Sequence, residues 1–227
     1  MNDYDKLITY YRQCFNLIDC FHFNSEIACN VYSNYITPNN SKVIPITHAG
    51  IKDHRKEKIF DDKILRIGFI GNLTPYKGFP KLLQILSTID NTKWELSVWG
   101  CHVGKENHLP VFYKGKFNGT TIMTVYNSMD VLVVPSIWKE TFSLVTLEAL
   151  SYGVPVIVSN NVGAKDIVKL YNEKFVFNNF QDLNSLLEEL IDSKVQLRRF
   201  NRKLLDSEWC YSLDKHAQDI IDSIYKD

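Results

Sequence analysis

Several features that would assign a protein to a class at once are missing from this sequence. No apolar run approaches the roughly 20 residues that a membrane-spanning helix needs. The N-terminal residues Met1–Lys6 are acidic and polar, unlike a secretory signal peptide. The five cysteines are odd in number and include no CxxC pair, so we expect reduced thiols in a cytoplasmic protein.

An excess of charge of one sign and the well-known phosphate loops are also missing. Lys and Arg (26 together) balance Asp and Glu (26 together), and basic residues do not interleave with the aromatic ones, so we expect no nucleic-acid partner. The six histidines lack metal-ligand spacing, which predicts no metal site. Neither GxGxxG nor GxxxxGKS/T occurs, and the first absence disfavours a nicotinamide-dependent oxidoreductase.

From Leu65 onward, short apolar runs alternate with amphipathic stretches. The apolar runs are rich in β-branched and aromatic residues and predict buried strands over Leu65–Ile70, Trp94–Trp99, Val111–Tyr113, Val131–Val134, Val154–Val158 and Phe175–Phe177. The amphipathic stretches predict helices over Pro80–Ile89, Thr121–Met129, Leu144–Tyr152, Ala164–Leu170, Leu183–Ile191, Val195–Leu205 and Leu213–Tyr225. This alternation predicts an α/β fold with a doubly wound, Rossmann-like parallel sheet covered on both faces.

The first part of the chain follows a different pattern. It predicts two helices and two short strands, namely Asp5–Leu17, Cys20–Phe23, a helix from the N-cap Ser25 to Tyr32, and Lys42–Ile46. These elements are too few for a stable domain. We therefore expect residues 1–47 to be the remnant of an N-terminal domain, 48–63 to be a charged linker, and 64–227 to be the main domain with its C-terminal helices.

A glycine-containing loop follows the predicted strand Leu65–Ile70. The run from Gly71 to Gly78 places Lys77 just ahead of the next predicted helix. Glycine permits a close backbone approach, and an ammonium group beside a helix N-terminus adds positive potential, which together suit a diphosphate. Taken alone, a Lys-Gly pair is more often part of a solvated loop.

Two carboxylates follow the predicted strand Val131–Val134. Glu140 falls in the loop before a predicted helix and Glu148 about one turn into it, so both can face one crevice. The free N–H groups of the first helical turn point into the same space and suit an anionic leaving group, while carboxylates accept hydrogen bonds from sugar hydroxyls. Gly153 and Pro155 end this helix and fix the frame around the two glutamates.

The order of these motifs is similar to that of a known family. Residues Asp130–Val168 resemble the signature of the retaining glycosyltransferases of family four (glycosyl transferases group 1): a strand, Pro-Ser, two glutamates eight residues apart, then Gly-x-Pro-Val-Ile. Leu65–Gly78 is similar to the family's Gly-Arg-Leu-x-x-x-Lys-Gly loop. The resemblance covers Leu65 to the C-terminus and implies the nucleotide-sugar-binding, C-terminal half of a GT-B fold, preceded by a short remnant of the acceptor domain.

The resemblance also implies roles for individual residues. Lys77 would offset charge on the donor diphosphate, Glu140 would bind hydroxyls of the donor sugar, and Glu148 would bind the ribose hydroxyls. Lys77 and Glu140 are therefore the candidate catalytic residues. The other candidate nucleotide-sugar-binding residues are Gly71, Asn72, Gly115, Lys116, Phe142, Ser143, Leu144 and Val145. Two of these depart from the family pattern, because Asn72 replaces an arginine and Ser143 replaces a glycine.

The activity that the resemblance implies is transfer of a hexose from a nucleotide-diphosphate sugar to a glycan or lipid-linked acceptor. The anomeric configuration would be retained, and no metal or other cofactor would be needed. The family's acceptor domain has a glycine-rich loop near its start and a catalytic-site histidine, and neither is recognisable here. One alternative is therefore a catalytically incomplete nucleotide-sugar-binding subunit, or a truncated product, that needs a separate chain as its acceptor domain. Another GT-B enzyme, such as a nucleotide-sugar epimerase, is a further alternative.

One stretch bears on where the protein acts. Leu197–Leu205 is basic and amphipathic, as suits peripheral contact with anionic lipid by an enzyme that glycosylates a membrane-bound acceptor. A solvated helix face is the alternative interpretation. We expect a cytoplasmic protein, with the inner face of the membrane as an additional place of action.

Overall fold

The structure, a computed structural model, describes residues 3–61, 63–101 and 108–226. In this part of the chain a two-stranded sheet precedes a six-stranded sheet, and all strand pairs are parallel. The strands are β1 (Phe21–Phe23), β2 (Ser41–Val43), β3 (Leu65–Ile70), β4 (Trp94–Trp99), β5 (Val111–Gly115), β6 (Val131–Val134), β7 (Val156–Ser159) and β8 (Val176–Phe177). The α-helices are α1 (Asp3–Phe15), α2 (Glu26–Tyr32), α3 (Phe79–Leu86), α4 (Ile122–Asn127), α5 (Leu144–Ser151), α6 (Lys165–Tyr171), α7 (Phe180–Asp192), α8 (Val195–Asp206) and α9 (Leu213–Ile220).

The six-stranded sheet has the order β5-β4-β3-β6-β7-β8. The chain runs outward from β3 through β4 to β5 and then returns to place β6 on the other side of β3. The strand order therefore reverses between β3 and β6, and ligands of doubly wound sheets bind outside the carboxyl ends of the strands at such a point. All residues of β6 and β7 are buried, as expected of parallel strands covered on both faces. The predicted α/β fold class is confirmed.

Every predicted helix and strand is found, most of them with bounds that differ from the predicted ones by a few residues. The strands Leu65–Ile70, Trp94–Trp99 and Val131–Val134 are found as predicted. Strand β7 begins at Val156, two residues later than predicted, because Pro155 has no N–H to donate to a neighbouring strand. Helix α7 begins at Phe180, three residues earlier than predicted, because a capping box precedes it. The Asn179 side chain accepts the Asp182 N–H, and the Asp182 carboxylate accepts the Asn179 N–H.

The segment predicted as a linker is fastened to the large sheet domain. Residues 48–61 form neither a helix nor a strand. Nevertheless, Ile51 and Phe60 are buried in the main core, and burial of each such side chain contributes roughly 1.5–3 kcal/mol. Arg55 donates hydrogen bonds to the carbonyl oxygens of Leu204, in the last turn of α8, and of Ser207, which directly follows this helix. This segment therefore packs against the large sheet and its helices.

The N-terminal elements leave much apolar surface open. Strands β1 and β2 pair only over three residues, and Ser25 caps α2 as predicted, accepting the Ala28 N–H at 3.1 Å. Helix α1 buries none of its residues. The exposed large apolar side chains of this part are Tyr4, Leu7, Tyr10, Tyr11, Leu17, Ile18, Tyr32 and Tyr35. None of the helices within the described ranges is both long and apolar enough to cross a membrane.

Candidate functional site

The candidate site lies at the carboxyl edge of the large sheet, around the reversal between β3 and β6. Gly71 follows β3 with φ 148°, and its N–H donates to the Trp99 carbonyl at the end of β4 at 3.0 Å. The Gly115 carbonyl at the end of β5 accepts the Gly100 N–H at 2.9 Å. Backbone hydrogen bonds between neighbouring strand ends thus hold these loops together at one edge of the sheet. Asn72 and Lys116 lie exposed on two of these loops.

The loop that carries Lys77 is joined to the loop after β6. Gly78 has φ 76°, and a Cβ at this position would lie 1.8 Å from the Pro135 carbonyl oxygen. The Tyr76 carbonyl accepts the Ile137 N–H at 2.8 Å. Only glycine fits position 78, because any larger residue would push the two loops apart. This close approach directs Lys77 toward the residues that follow β6.

Lys77 and Glu140 form an ion pair. The Lys77 Nζ lies 2.9 Å from Glu140 Oε1, and the two side chains are 32% and 10% exposed. The Ser136 hydroxyl donates to the same carboxylate oxygen. The two candidate catalytic residues are therefore in direct contact, and in this structure each offsets the charge of the other.

The Glu140 backbone is held from two further directions. Its N–H donates to the Asn161 carbonyl at 2.8 Å, and its carbonyl accepts the Gly163 N–H at 3.0 Å, so the loop after β7 pairs with it like a strand. The hydroxyl of Ser25 donates to the carbonyl oxygen of Thr141. Ser25 was expected only as a helix cap, and its second role links the N-terminal elements to the Glu140 loop.

The start of α5 carries the only non-glycine residue with positive φ in the described part of the chain. Ser143 has φ 94° and ψ 83° at the position where the resembling family has glycine. A side chain there costs about 1–3 kcal/mol of backbone strain. Phe142 is buried in the core, so only its backbone borders the site. Leu144 and Val145 open the helix, and first-turn amides have no partner within the helix itself.

Glu148 has its own pair of partners. The Tyr126 hydroxyl donates to Glu148 Oε2 at 2.7 Å, and Nε2 of His48 lies 3.2 Å from Glu148 Oε1. Burial, reinforced by the neighbouring carboxylate, raises the pKa of Tyr126 well above its usual value, so the phenol remains a hydrogen-bond donor. Neither partner carries a local sequence signal, because each comes from a distant part of the chain. Glu148 is therefore fixed independently of the Lys77–Glu140 pair.

Solved structures with this fold define the class. The chain superposes on Anabaena HepE, solved with UDP and glucose, with a TM-score of 0.75 and 16% identity, covering 97% of this chain and 67% of that one. It superposes on the sucrose-phosphate synthase of Thermosynechococcus elongatus with a TM-score of 0.72 and 15% identity, covering 96% and 60%. The fold is that of the GT-B glycosyltransferases.

The sequence comparisons then give the family. The family model of the glycosyl transferases group 1 matches residues 50–204, and the chain belongs to this family. It is 32% identical over 192 residues to an uncharacterised 41.2 kDa protein of the Klebsiella pneumoniae cps region, covering 77% of this chain and 51% of that one. It is 32% identical to an uncharacterised glycosyltransferase of Methanocaldococcus jannaschii, covering 66% and 41%. The chain thus spans about half the length of these relatives.

Proposed function

We propose that this glycosyltransferase moves a hexose from a nucleotide-diphosphate sugar to a glycan or lipid-linked acceptor, with retention and without a metal ion. The observation that carries the proposal is the contact between Lys77 and Glu140 beside the start of α5, where the strand order reverses. A cation, a carboxylate and free helical amides are the groups needed to hold a diphosphate and the hydroxyls of a sugar next to each other.

The ion pair suggests how the donor enters. A diphosphate carries more negative charge than the Glu140 carboxylate, so the Lys77 ammonium exchanges one partner for the other when the donor binds. Glu140 is then free to accept hydrogen bonds from sugar hydroxyls, while the Ser136 hydroxyl continues to orient it. Lys77 and the amides of Leu144 and Val145 supply positive potential where charge develops on the departing nucleotide.

The chemical step follows from the family resemblance. The acceptor oxygen attacks the anomeric carbon on the face from which the nucleotide leaves, the bond from that carbon to the phosphate oxygen breaks, and the acceptor proton passes to the leaving phosphate. HepE was solved with UDP-glucose as well as with UDP and glucose. These complexes support a nucleotide sugar as the kind of donor that this chain takes, and Glu148 is the candidate for its ribose hydroxyls.

A second candidate is a donor-binding unit that is inactive without an acceptor-binding half. The exposed apolar side chains of residues 4–35 favour it, because a surface of this kind marks a contact with another protein surface. An apolar groove of about 470 Å³ runs along the same region and is lined by Tyr11, Phe15, Val31 and Ile36, among others. We propose that this face contacts the acceptor half, whether that half belongs to the same polypeptide or to a separate chain.

The part of helix α8 that is open to a membrane is its charged face. Helix α8 buries Leu197, Phe200 and Leu204 in the core, so its apolar face is not available to lipid. Its basic side chains Arg199, Arg202 and Lys203 are exposed. We propose a peripheral, salt-sensitive contact with anionic lipid at the inner face of the membrane by a cytoplasmic protein. Sedimentation with anionic vesicles at low and high salt tests it.

A thermal-shift screen with UDP, GDP, ADP and their sugars tests donor binding. A ligand at a hundred times its dissociation constant adds about 2.7 kcal/mol, which raises the melting temperature by roughly 5–10 °C for a chain of this size. The same shift in the presence of EDTA is expected if no metal is needed. A protein that no nucleotide or nucleotide sugar stabilises would contradict the proposal. Binding without donor hydrolysis or transfer would favour the incomplete unit.

Two substitutions separate the roles of the glutamates. Glu148→Ala should weaken binding of the bare nucleotide, whereas Glu140→Ala should weaken binding of the sugar-bearing donor only. The bare nucleotide should bind Glu140→Ala at least as well as the wild type, because Lys77 has then lost its competing partner. Glu188→Ala, an exposed position on α7, is the matched control. Equal losses of bare-nucleotide affinity in Glu140→Ala and Glu148→Ala would overturn the assignment.

A further inference from the structure

His48 occupies an unexpected place beside the proposed nucleotide site. It belongs to the segment between the two sheets, 100 residues before Glu148, yet its Nε2 lies 3.2 Å from Glu148 Oε1. Its side chain is 42% exposed and that of Glu148 is 16% exposed, so the contact lies at the edge of solvent. A ligand that approaches Glu148 therefore meets a carboxylate already held by a histidine.

The tautomer of His48 follows from its other contact. The Gly50 N–H donates to His48 Nδ1 at 3.0 Å, so this nitrogen must carry a lone pair rather than a proton. The ring proton then resides on Nε2, which faces Glu148 and donates to it. A neutral imidazole holds the carboxylate through a hydrogen bond without cancelling its negative charge. Glu148 therefore remains a strong acceptor.

The glycine at position 50 makes this arrangement possible. A Cβ at Gly50 would lie 2.9 Å from His48 Cε1, closer than real Cβ atoms come, and 3.0 Å from Nδ1, which is a tight contact. A side chain at this position would displace the imidazole ring. The short turn from His48 to Gly50 thus fixes both the position of the ring and the nitrogen that carries its proton.

The two donors leave the carboxylate in one orientation. The Tyr126 hydroxyl holds Oε2 at 2.7 Å while His48 holds Oε1, so rotation of the carboxylate is opposed from both ends. Each carboxylate oxygen accepts more than one hydrogen bond, which leaves capacity for a diol. Fixing an acceptor before the ligand arrives raises affinity, because the ordering cost is met in the free protein.

We propose that His48 is a positioning residue that holds Glu148 ready for the two hydroxyls of a ribose, and that it thereby selects ribonucleotides over nucleotides lacking those hydroxyls. This rests on the proposed role of Glu148 in nucleotide binding. The selectivity of the site then depends on a residue outside the large sheet and its helices.

The test compares two ligands, the nucleoside diphosphate that binds best among UDP, GDP and ADP and its 2′,3′-dideoxy analogue, by calorimetry. His48→Ala should weaken binding of the ribonucleotide up to about tenfold, because the cost of ordering the Glu148 side chain must then be met on binding. Its affinity for the dideoxy analogue should stay within about twofold of the wild type. Gly50→Ala, which keeps the imidazole but moves it, should show the same selective loss. His48→Gln retains an N–H donor and should recover part of the ribonucleotide affinity that His48→Ala loses.

The exposed Lys52 lies in the same segment, and Lys52→Ala is the matched control, with neither affinity changed. If His48→Ala and Gly50→Ala lower the affinity for both ligands by the same factor, the contact between His48 and Glu148 serves the fold alone, and the proposal is overturned. An unchanged ratio of the two affinities in both variants would overturn it as well. If the wild type discriminates between the ligands, the proposed nucleotide site survives either result. If the wild type binds neither ligand, both proposals fail.

Discussion

Lys58 provides a pH-dependent test of how the segment 48–61 is attached to the domain. Its ammonium group donates to the Tyr126 carbonyl at 3.1 Å. Burial lowers the pKa of Lys58 to about 8 from its ordinary 10.5, and the nearby Asp130 only partly opposes this effect. Between these two values the unfolded chain holds a proton that the folded chain has released.

The sign of the effect follows from proton counting. Because the unfolded state binds more protons between pH 8 and 10.5, the free energy of unfolding rises with pH across this interval. Below pH 8 the cost of burying the charged amine is constant. A pKa depression of this size corresponds to about 3 kcal/mol, of which about 2–3 kcal/mol should be regained between pH 7.5 and 10.

The assay is urea denaturation followed by tryptophan fluorescence at several pH values, with Lys58→Met compared with the wild type. The wild type should gain about 2–3 kcal/mol relative to Lys58→Met between pH 7.5 and 10, because methionine has no proton to release. Lys56→Met removes an exposed amine two residues away, and its difference from the wild type should change much less with pH, because Lys56 is the smallest of the influences on the pKa of Lys58. A difference between wild type and Lys58→Met that is flat across the interval would refute the reasoning.

Two further substitutions test features of the frame around the site. Ser143→Gly should raise the free energy of unfolding by about 1 kcal/mol in the same denaturation assay, because relief of the strain at φ 94° exceeds the added freedom of the unfolded chain. A lower stability would show that this conformation is not strained. Arg66→Met should destabilise the protein by about 3 kcal/mol, because it leaves the fully buried Asp130 without the guanidinium that pairs with it at 2.5 Å. If Arg66→Met and the double variant Arg66→Met/Asp130→Asn are equally stable, the loss does not come from an unpaired charge.

The sequence was most informative where local chemistry decides the outcome. The strand Val131–Val134 could be predicted to the residue, because a run of buried β-branched and leucine side chains is bounded by Asp130 and Pro135. The convergence of Lys77 and Glu140 could be expected for a similar reason. Each residue follows a parallel strand, and the carboxyl ends of such strands share one edge of the sheet.

Other features depended on contacts that no local pattern encodes. The replacement of a family glycine by Ser143 is visible in the sequence, but its positive φ emerged only from the structure. The start of α7 was placed too late although the Asn179 and Asp182 pair is a readable capping signal. His48 could not have been found, because a histidine in a segment without periodicity acquires meaning only when the fold brings it to Glu148.

Different parts of the chain that precedes the large sheet form hydrogen bonds at or beside the two glutamates of the site. The Ser25 hydroxyl donates a hydrogen bond to the Thr141 carbonyl, next to Glu140, and also caps α2. Glu148 is held by hydrogen bonds from His48 and Tyr126. The backbone carbonyl of Tyr126 in turn accepts a hydrogen bond from the Lys58 ammonium group. Since residues 4–35 also carry the exposed apolar side chains, a protein surface that docks there would act through Ser25 on the Glu140 loop, the proposed sugar-binding part of the site. The proposed ribose side would respond to residues 48–61 instead. The proposed donor binding therefore depends on the large sheet together with the chain that leads into it.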